Sequence, residues 1–384
     1  MGPLNGIKVI ELPSIGPMQF AGMALGDLGA DVLRLDRASS VASGEGTMPA
    51  SPFASLDRNR RSAGIDLKHP EGAATVLRLC ETADVLIEGF RPGVAERLGI
   101  GPDVALARNE RLIYGRMTGW GQDGPLAKDP GHDLNYIALA GALAHIGTAG
   151  GPPVPPINLL GDFGGGGLLL AFGVLAALLE RERSGLGQVI DAAMVDGTAM
   201  LMSVFVGLSA MGYWSDERGT NLLDGGAHFY GVYETQDSKW ISIASYEPQF
   251  YGELSRLLAP LGVALDSATQ MDQSLWPSLK IKMTTLFRTR TRDAWCDFFD
   301  GHEVCFAPVL TMNEAREHPH NVARGTFTEV GGSPQPAPAP RFGRTPGSID
   351  RLPATPGADT DIVLAEWGIE PVEIERLKAS GAIA

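Results

Sequence analysis

Apolar and polar positions alternate with two periods along the first third of the chain. "IKVIELP" (Ile7–Pro13) is a short β-branched run and predicts a strand. "GPMQFAGMALGDLG" (Gly16–Gly29) spaces its apolar residues as a helix does and closes on glycine, a helix stop. "ADVLRLD" (Ala30–Asp36) predicts a second strand. The pattern recurs as a helix over Pro70–Thr82, a strand over Ala83–Phe90, a helix over Val94–Leu98 and a strand over Arg111–Met117. This order predicts right-handed βαβ units and a parallel α/β sheet. The dinucleotide fingerprint G-x-G-x-x-G is absent, since "ELPSIGPMQF" stands where it would fall. The sheet is nucleotide-fold-like, but its ligand need not be NAD.

Further along, Phe163–Leu179 is the most apolar window and begins close to four consecutive glycines. It reaches only the lower length limit of a membrane span, and Glu180, Arg181, Glu182 and Arg183 follow at once. It reads as a buried helix, with no membrane span. From Phe229 the texture changes. "FYGVYETQDSKWISIASYEPQFY" predicts two strands around "QDSK", then a helix over Glu247–Leu258, as in a smaller α+β domain reaching to about residue 320. "GGSPQPAPAPRFGRTPG" (Gly331–Gly347) is too rich in Pro and Gly for regular structure and reads as an extended strap.

Composition narrows the class. The chain has 384 residues, 44% apolar and 20% charged, enough for two domains of a soluble protein. Its formal net charge of −14 argues against general nucleic-acid binding. Three widely spaced cysteines suggest neither a disulfide framework nor a zinc site, and a reducing cytoplasm is the expected setting. No secretory signal is visible at the N-terminus and no peroxisomal Ser-Lys-Leu address at the C-terminus.

Candidate chemistry lies in a few residues. His132 is one of seven histidines and stands just before the apolar run Tyr136–Leu143; Asp133 beside it is a plausible N-cap. Asp162 precedes the glycines and reads as an N-cap of a helix Phe163–Glu182, or as a carboxylate aimed into a cleft, or both. Glu247 stands before Pro248 at a helix start. A histidine capping or lying in the core and a solvated glutamate are the plain alternatives. No histidine spacing suggests a metal. Arg58, Arg60, Arg61 and Lys68 fall within eleven residues, with Arg34, Arg37, Arg91 and Arg97 nearby. Such a cluster in an acidic chain suggests a phosphate site, or else a set of surface ion pairs.

The stretches "GPLNGIKVIEL", "GDLGADVLRLDR", "DVLIEGFRPGVAERLGIGP", "RLIYGRMTGWGQDGP", "GHDLNYIALAGAL", "PPINLLGDFGGGG", "GQVIDAAMVDGTA", "NLLDGGAHFYGVYET" and "EPQFY", in this order over nearly the whole chain, resemble the α-methylacyl-CoA racemases of the family III CoA-transferase superfamily. The resemblance implies a large Rossmann-like domain that binds CoA, a small α+β domain and an interlocked homodimer with shared active sites. It implies a large domain over residues 1–195, a linker helix over 196–228, a small domain over 229–320 and a C-terminal strap over 321–384 that returns to the large domain. It places catalytic roles on His132, Asp162 and Glu247, with Glu247 supplied by the opposite subunit. CoA contacts fall on Arg37, on Ile65, Asp66, Leu67 and Lys68, on Gly89, Phe90 and Arg91, on Arg97, and on Gly131, Asp133, Leu134, Asn135 and Tyr136. No cofactor or metal is expected, CoA being part of the substrate.

Three features depart from the racemase pattern. His228 replaces a proline, Tyr246 is bulky beside Glu247, and an insertion-like stretch spans Ser43–Ser55. The first two are expected to bear on the acyl pocket. The implied chemistry is a two-base proton transfer. His132 serves one face of the α-carbon and Asp162 the other, and Glu247 orients the imidazole. Backbone N–H groups near Asp133 would face the thioester oxygen of the enolate. The rival reading is CoA transfer with Asp162 as nucleophile. His132 and Glu247 favour racemisation, because the family's transferases generally lack this histidine and carry a glycine-rich loop where "YEPQF" stands.

Overall fold

Strands β1 (Lys8–Glu11), β2 (Asp31–Asp36), β3 (Arg60–Gly64), β4 (Val85–Glu88), β5 (Ile113–Thr118) and β6 (Val189–Ala193) form one parallel sheet in a computed structural model of the protein. Their order is β3-β2-β1-β4-β5-β6. The structure describes residues 2–43 and 54–384, so most of the insertion-like stretch lies outside the described residues. Successive side chains of a strand point to opposite faces, so each strand feeds two cores. Ile10, Leu33, Leu86 and Tyr114 join one core with Val76 and Leu79 of the helix Pro70–Cys80. Val9, Val32, Val85 and Ile113 join the other with Leu25 of the helix Pro17–Asp27 and Val174 of the helix Leu169–Ser184. Coverage of both faces explains why β1, β2, β4 and β5 place apolar residues at consecutive positions, as in Val9–Ile10, Val32–Leu33, Val85–Ile87 and Ile113–Tyr114, rather than strictly alternating.

Strand β3 does not read that way, because its arginines are buried against carboxylates. Arg60 and Glu11 are each only 1% exposed, and Arg60 Nη1 donates to both Glu11 oxygens at 2.6 and 2.8 Å. Arg58 Nε donates to buried Asp27 at 3.0 Å, and Arg61 pairs with Asp31 and Glu366. The triplet Arg58, Arg60 and Arg61 is thus taken up by internal ion pairs. It holds the sheet edge together from inside.

The chain divides into two compact units. The first comprises Met1–Ala140, Ile157–Leu201 and Gly325–Ala384, and the second Gly141–Pro156 and Met202–Arg324. These limits differ from the sequence-based ones, since residues 141–156 and 202–228 cluster with the small unit. The expected linker helix is two helices, Met194–Leu201 and Ser203–Ala210, followed by irregular chain. The second unit carries the antiparallel strands β7 (Tyr230–Glu234), β8 (Trp240–Ala244) and β9 (Phe306–Val309). Its core gathers Phe229, Tyr233, Tyr251, Phe287 and Trp295.

The C-terminal segment is more ordered than its composition suggests. β10 (Phe327–Val330) and β11 (Ser333–Pro336) form an antiparallel hairpin, and β11 lies inside the stretch Gly331–Gly347 where no regular structure was expected. Pro334 and Pro336 are tolerated because a two-stranded ladder leaves each strand an edge. The helices Thr360–Glu366 and Pro371–Ala379 then place Val363, Leu364, Ile374 and Leu377 in the core that contains Ile10 and Leu33.

Candidate active site

The strand order reverses between β1 and β4, and the connections there leave the sheet in opposite directions. In open parallel sheets this opens a crevice beyond the carboxyl ends of the strands. A cavity of about 1270 Å³ occupies that place. Residues following β1 (Pro13–Gln19), β4 (Gly89, Phe90, Arg91) and β5 (Gly119, Trp120) line it. So do Arg37, Gly131, His132, Asn135, Tyr136 and Asp162.

His132 and Asp162, thirty residues apart in the chain, therefore share one cavity. His132 is the N-cap of the helix Asp133–Leu139, with extended φ −134° and ψ 172°. Its own N–H donates to Asn135 Oδ1 at 3.1 Å. The sequence placed the cap on Asp133. Asp133 is instead the first helical residue, and its side chain turns inward to a neighbouring segment. Tyr136, one turn on, packs edge-to-face on Trp120 with ring centroids 4.7 Å apart. A Cβ on Gly119 would stand 2.0 Å from that tyrosine ring, so only glycine fits there.

Asp162 is not an N-cap. Helical structure begins at Leu159, and the segment Leu159–Leu168 winds as a π-helix before continuing as the α-helix Leu169–Ser184. Wide π-turns gather at functional sites, and Gly164–Gly167 tolerate the close packing of this one. Asn158 Nδ2 donates to Asp162 Oδ2 at 3.0 Å. Burial pushes the Asp162 carboxyl above its ordinary range, the Asn158 hydrogen bond opposes this, Asp133 adds to it, and His132 lowers it. Tyr136 is also raised, by burial first and then by Asp162, against a lowering from Arg91.

The expected helix is not buried all round. Ala171, Val174 and Leu178 face the core, while Phe172, Leu175 and Leu179 are exposed. Among the described residues, Leu159–Ser184 is the one helix long and apolar enough to cross a membrane.

The remaining sequence-based site residues divide clearly. Arg37, Gly89, Phe90, Arg91, Gly131, Asn135 and Tyr136 line the cavity. Ile65 and Leu67 do not: both lie in the core, and Ile65 bridges to Ile383. The Ile65 and Asp66 N–H groups are already taken by Asp36 O and Ala382 O. Lys68, Arg97 and Leu134 are exposed and Asp133 is buried, and none of these lines the cavity. Glu247 belongs to the second unit, where it caps the helix Pro248–Leu258 with an exposed side chain. His228 is fully buried in that unit's own core, with Nε2 2.8 Å from Tyr251 Oη. It thus fills the core beside Phe229. Sequence reading missed Ser14 and Trp120, whose Oγ and Nε1 are buried without a partner among the described residues. Ser14 follows β1 where a fingerprint glycine would stand, which was the available signal.

Comparison with known proteins agrees with this architecture. Residues 4–360 match the CoA-transferase family III model, and the chain belongs to that family. Over 97% of its length it is 45% identical to an alpha-methylacyl-CoA racemase of Mus musculus, covering 96% of that protein. It is 43% identical to the alpha-methylacyl-CoA racemase of Homo sapiens, over 99% of this chain and 97% of the other. Among solved structures, a CaiB/BaiF family protein from Brucella suis superposes with a TM-score of 0.79 at 26% identity, covering 95% of this chain and 99% of that one.

Proposed function

We propose that this protein is a racemase that interconverts R and S 2-methylacyl-CoA thioesters by cofactor-independent proton transfer between two bases. The observation that carries this reading is that His132 and Asp162 line one cavity at the switch point of the sheet. The names of the mouse and human relatives support it. A cavity of about 1270 Å³ exceeds the usual range for compact ligands and suits a long one such as an acyl-CoA. Arg37 and Arg91 on its wall supply cationic partners for phosphate groups.

Racemisation removes the α-proton from one face and returns one to the other. The unprotonated member of the His132–Asp162 pair accepts, and the protonated member donates. A carboxyl lifted by burial is suited to both roles. Backbone N–H groups beside His132 would stabilise the enolate oxygen, and that of Asp133 has no acceptor among the described residues. The working enzyme is a homodimer in the cytoplasm, and Glu247 of a second copy would orient the His132 imidazole. The exposed line Phe172, Leu175, Leu179, at intervals of three and four, supports such an association.

The test is exchange of the α-hydrogen of a 2-methylacyl-CoA in D₂O with no carboxylic acid added. Deuterium uptake with loss of optical purity is expected. Passage of CoA to an added carboxylic acid, with the free 2-methyl acid released and no exchange, would favour the transferase reading, in which Asp162 attacks the thioester.

A further inference from the structure

Asp133 is only 6% exposed. Its Oδ1 accepts from the N–H of Gly161 at 2.7 Å and of Asp162 at 2.8 Å. Both donors belong to the first turn of the π-helix, where backbone N–H groups lack acceptors within the helix. A Cβ on Gly161 would lie 2.6 Å from that same oxygen, so glycine is required where the carboxylate docks. Asp133 is bonded in the chain to His132, and through this contact it grips the backbone of Asp162.

We infer that Asp133 is a positioning residue whose buried carboxylate clamps the segment bearing Asp162 to the segment bearing His132, and so sets the span between the two groups that face the α-carbon. The inference rests on the racemase reading. Either side chain could be present in the cavity without the clamp, but proton transfer is steep in distance and a misplacement of an ångström costs on the order of 10²-fold. The clamp has an electrostatic consequence. The charged groups acting on Asp162 are Asp133, which raises its pKa, and His132, which lowers it; Asn158 lowers it by hydrogen bonding. The helices Pro17–Asp27 and Met194–Leu201 also pack on the π-helix and bring no further charge to bear on Asp162 among the described residues. The Tyr136 phenol senses Asp162 from the His132 side.

The experiment measures kcat, KM and the pH profile of α-hydrogen exchange for the full-length wild type, Asp133→Asn and Asp133→Ala. Asn keeps a carbonyl acceptor for the two N–H groups and loses the charge. Its acid limb should move to lower pH, because a raising charge on Asp162 is gone. Ala loses the acceptor too, and its kcat should fall on the order of 10²-fold with KM nearly unchanged. Asn should retain at least about tenfold more kcat than Ala, as the shared acceptor requires. An acid limb that stays in place in Asn, or a KM that rises while kcat holds, would overturn the inference by making Asp133 inert or a substrate contact. Should Ala fail to fold, the position of the Asn limb decides alone. A wild type without exchange would defeat the racemase reading itself, before any variant is compared.

Discussion

Replacing Arg60 with methionine isolates the cost of one buried charge. The guanidinium makes two charge-assisted bonds to Glu11, at 2.6 and 2.8 Å, and further bonds to Asp57 and to Leu56 O. Asp57 is partly exposed and can turn to water, but Glu11 is 1% exposed and cannot. Stranding a buried partner costs about 3–5 kcal/mol. Burial already holds Glu11 above its ordinary value of 4.5, with Arg60 opposing, and removal of Arg60 raises it further. A carboxyl with a raised folded pKa contributes stability that is full below its unfolded pKa and is lost as pH rises through the folded one. The deficit of Arg60→Met should therefore be smallest near pH 4.5 and grow toward neutrality. Adding Glu11→Leu removes the stranded charge and should recover most of the loss. Urea unfolding followed by tryptophan fluorescence, at pH 5 and pH 8, measures all three proteins. A single-variant deficit below about 1 kcal/mol at pH 8, or a double variant as unstable as the single, would refute the reasoning.

Further expectations are as direct. His132→Ala and Asp162→Ala should each lower α-hydrogen exchange by at least about 10²-fold while calorimetry still detects CoA binding. Gly119→Ala should cost about 1–3 kcal/mol, because its Cβ would press on the Tyr136 ring, and a thermal melt checks it. Burial pulls His228 from 6.5 down to about 4, so its stabilising contribution is present above pH 6.5 and is lost as pH falls through about 4. The small unit should lose on the order of 3 kcal/mol across that window, and His228→Phe should flatten the dependence in urea titrations at graded pH.

Much of the large unit was legible because strands buried on both faces have a simple apolar signature. β1, β2, β4 and β5 carry it. β3 was opaque because "RRSAG" satisfies its burial by ion pairs with Glu11, Asp31 and Glu366, partners far away in the chain. β11 was hidden by its prolines, which an edge position permits. His132 and Asp162 were found from motifs, and the shape of the backbone around them was not. A short acidic residue before a glycine run reads as an N-cap, but the helix here begins earlier, at Leu159, with Asn158 in the cap position. The resemblance likewise marked Ile65 and Leu67 as contacts, whereas Ile383 and its neighbours bury them.

The interruption of the large unit by the small one has a consequence for synthesis. Its central core requires Val363, Leu364 and Trp367, so Ile10 and Leu33 must wait for nearly the whole polypeptide to emerge from the ribosome. The small unit's core is complete once Val304 has appeared, and it can fold while its host is still open. Nascent chains stalled shortly after Arg324 should thus show a protease-resistant inserted module flanked by an unfinished, chaperone-dependent sheet.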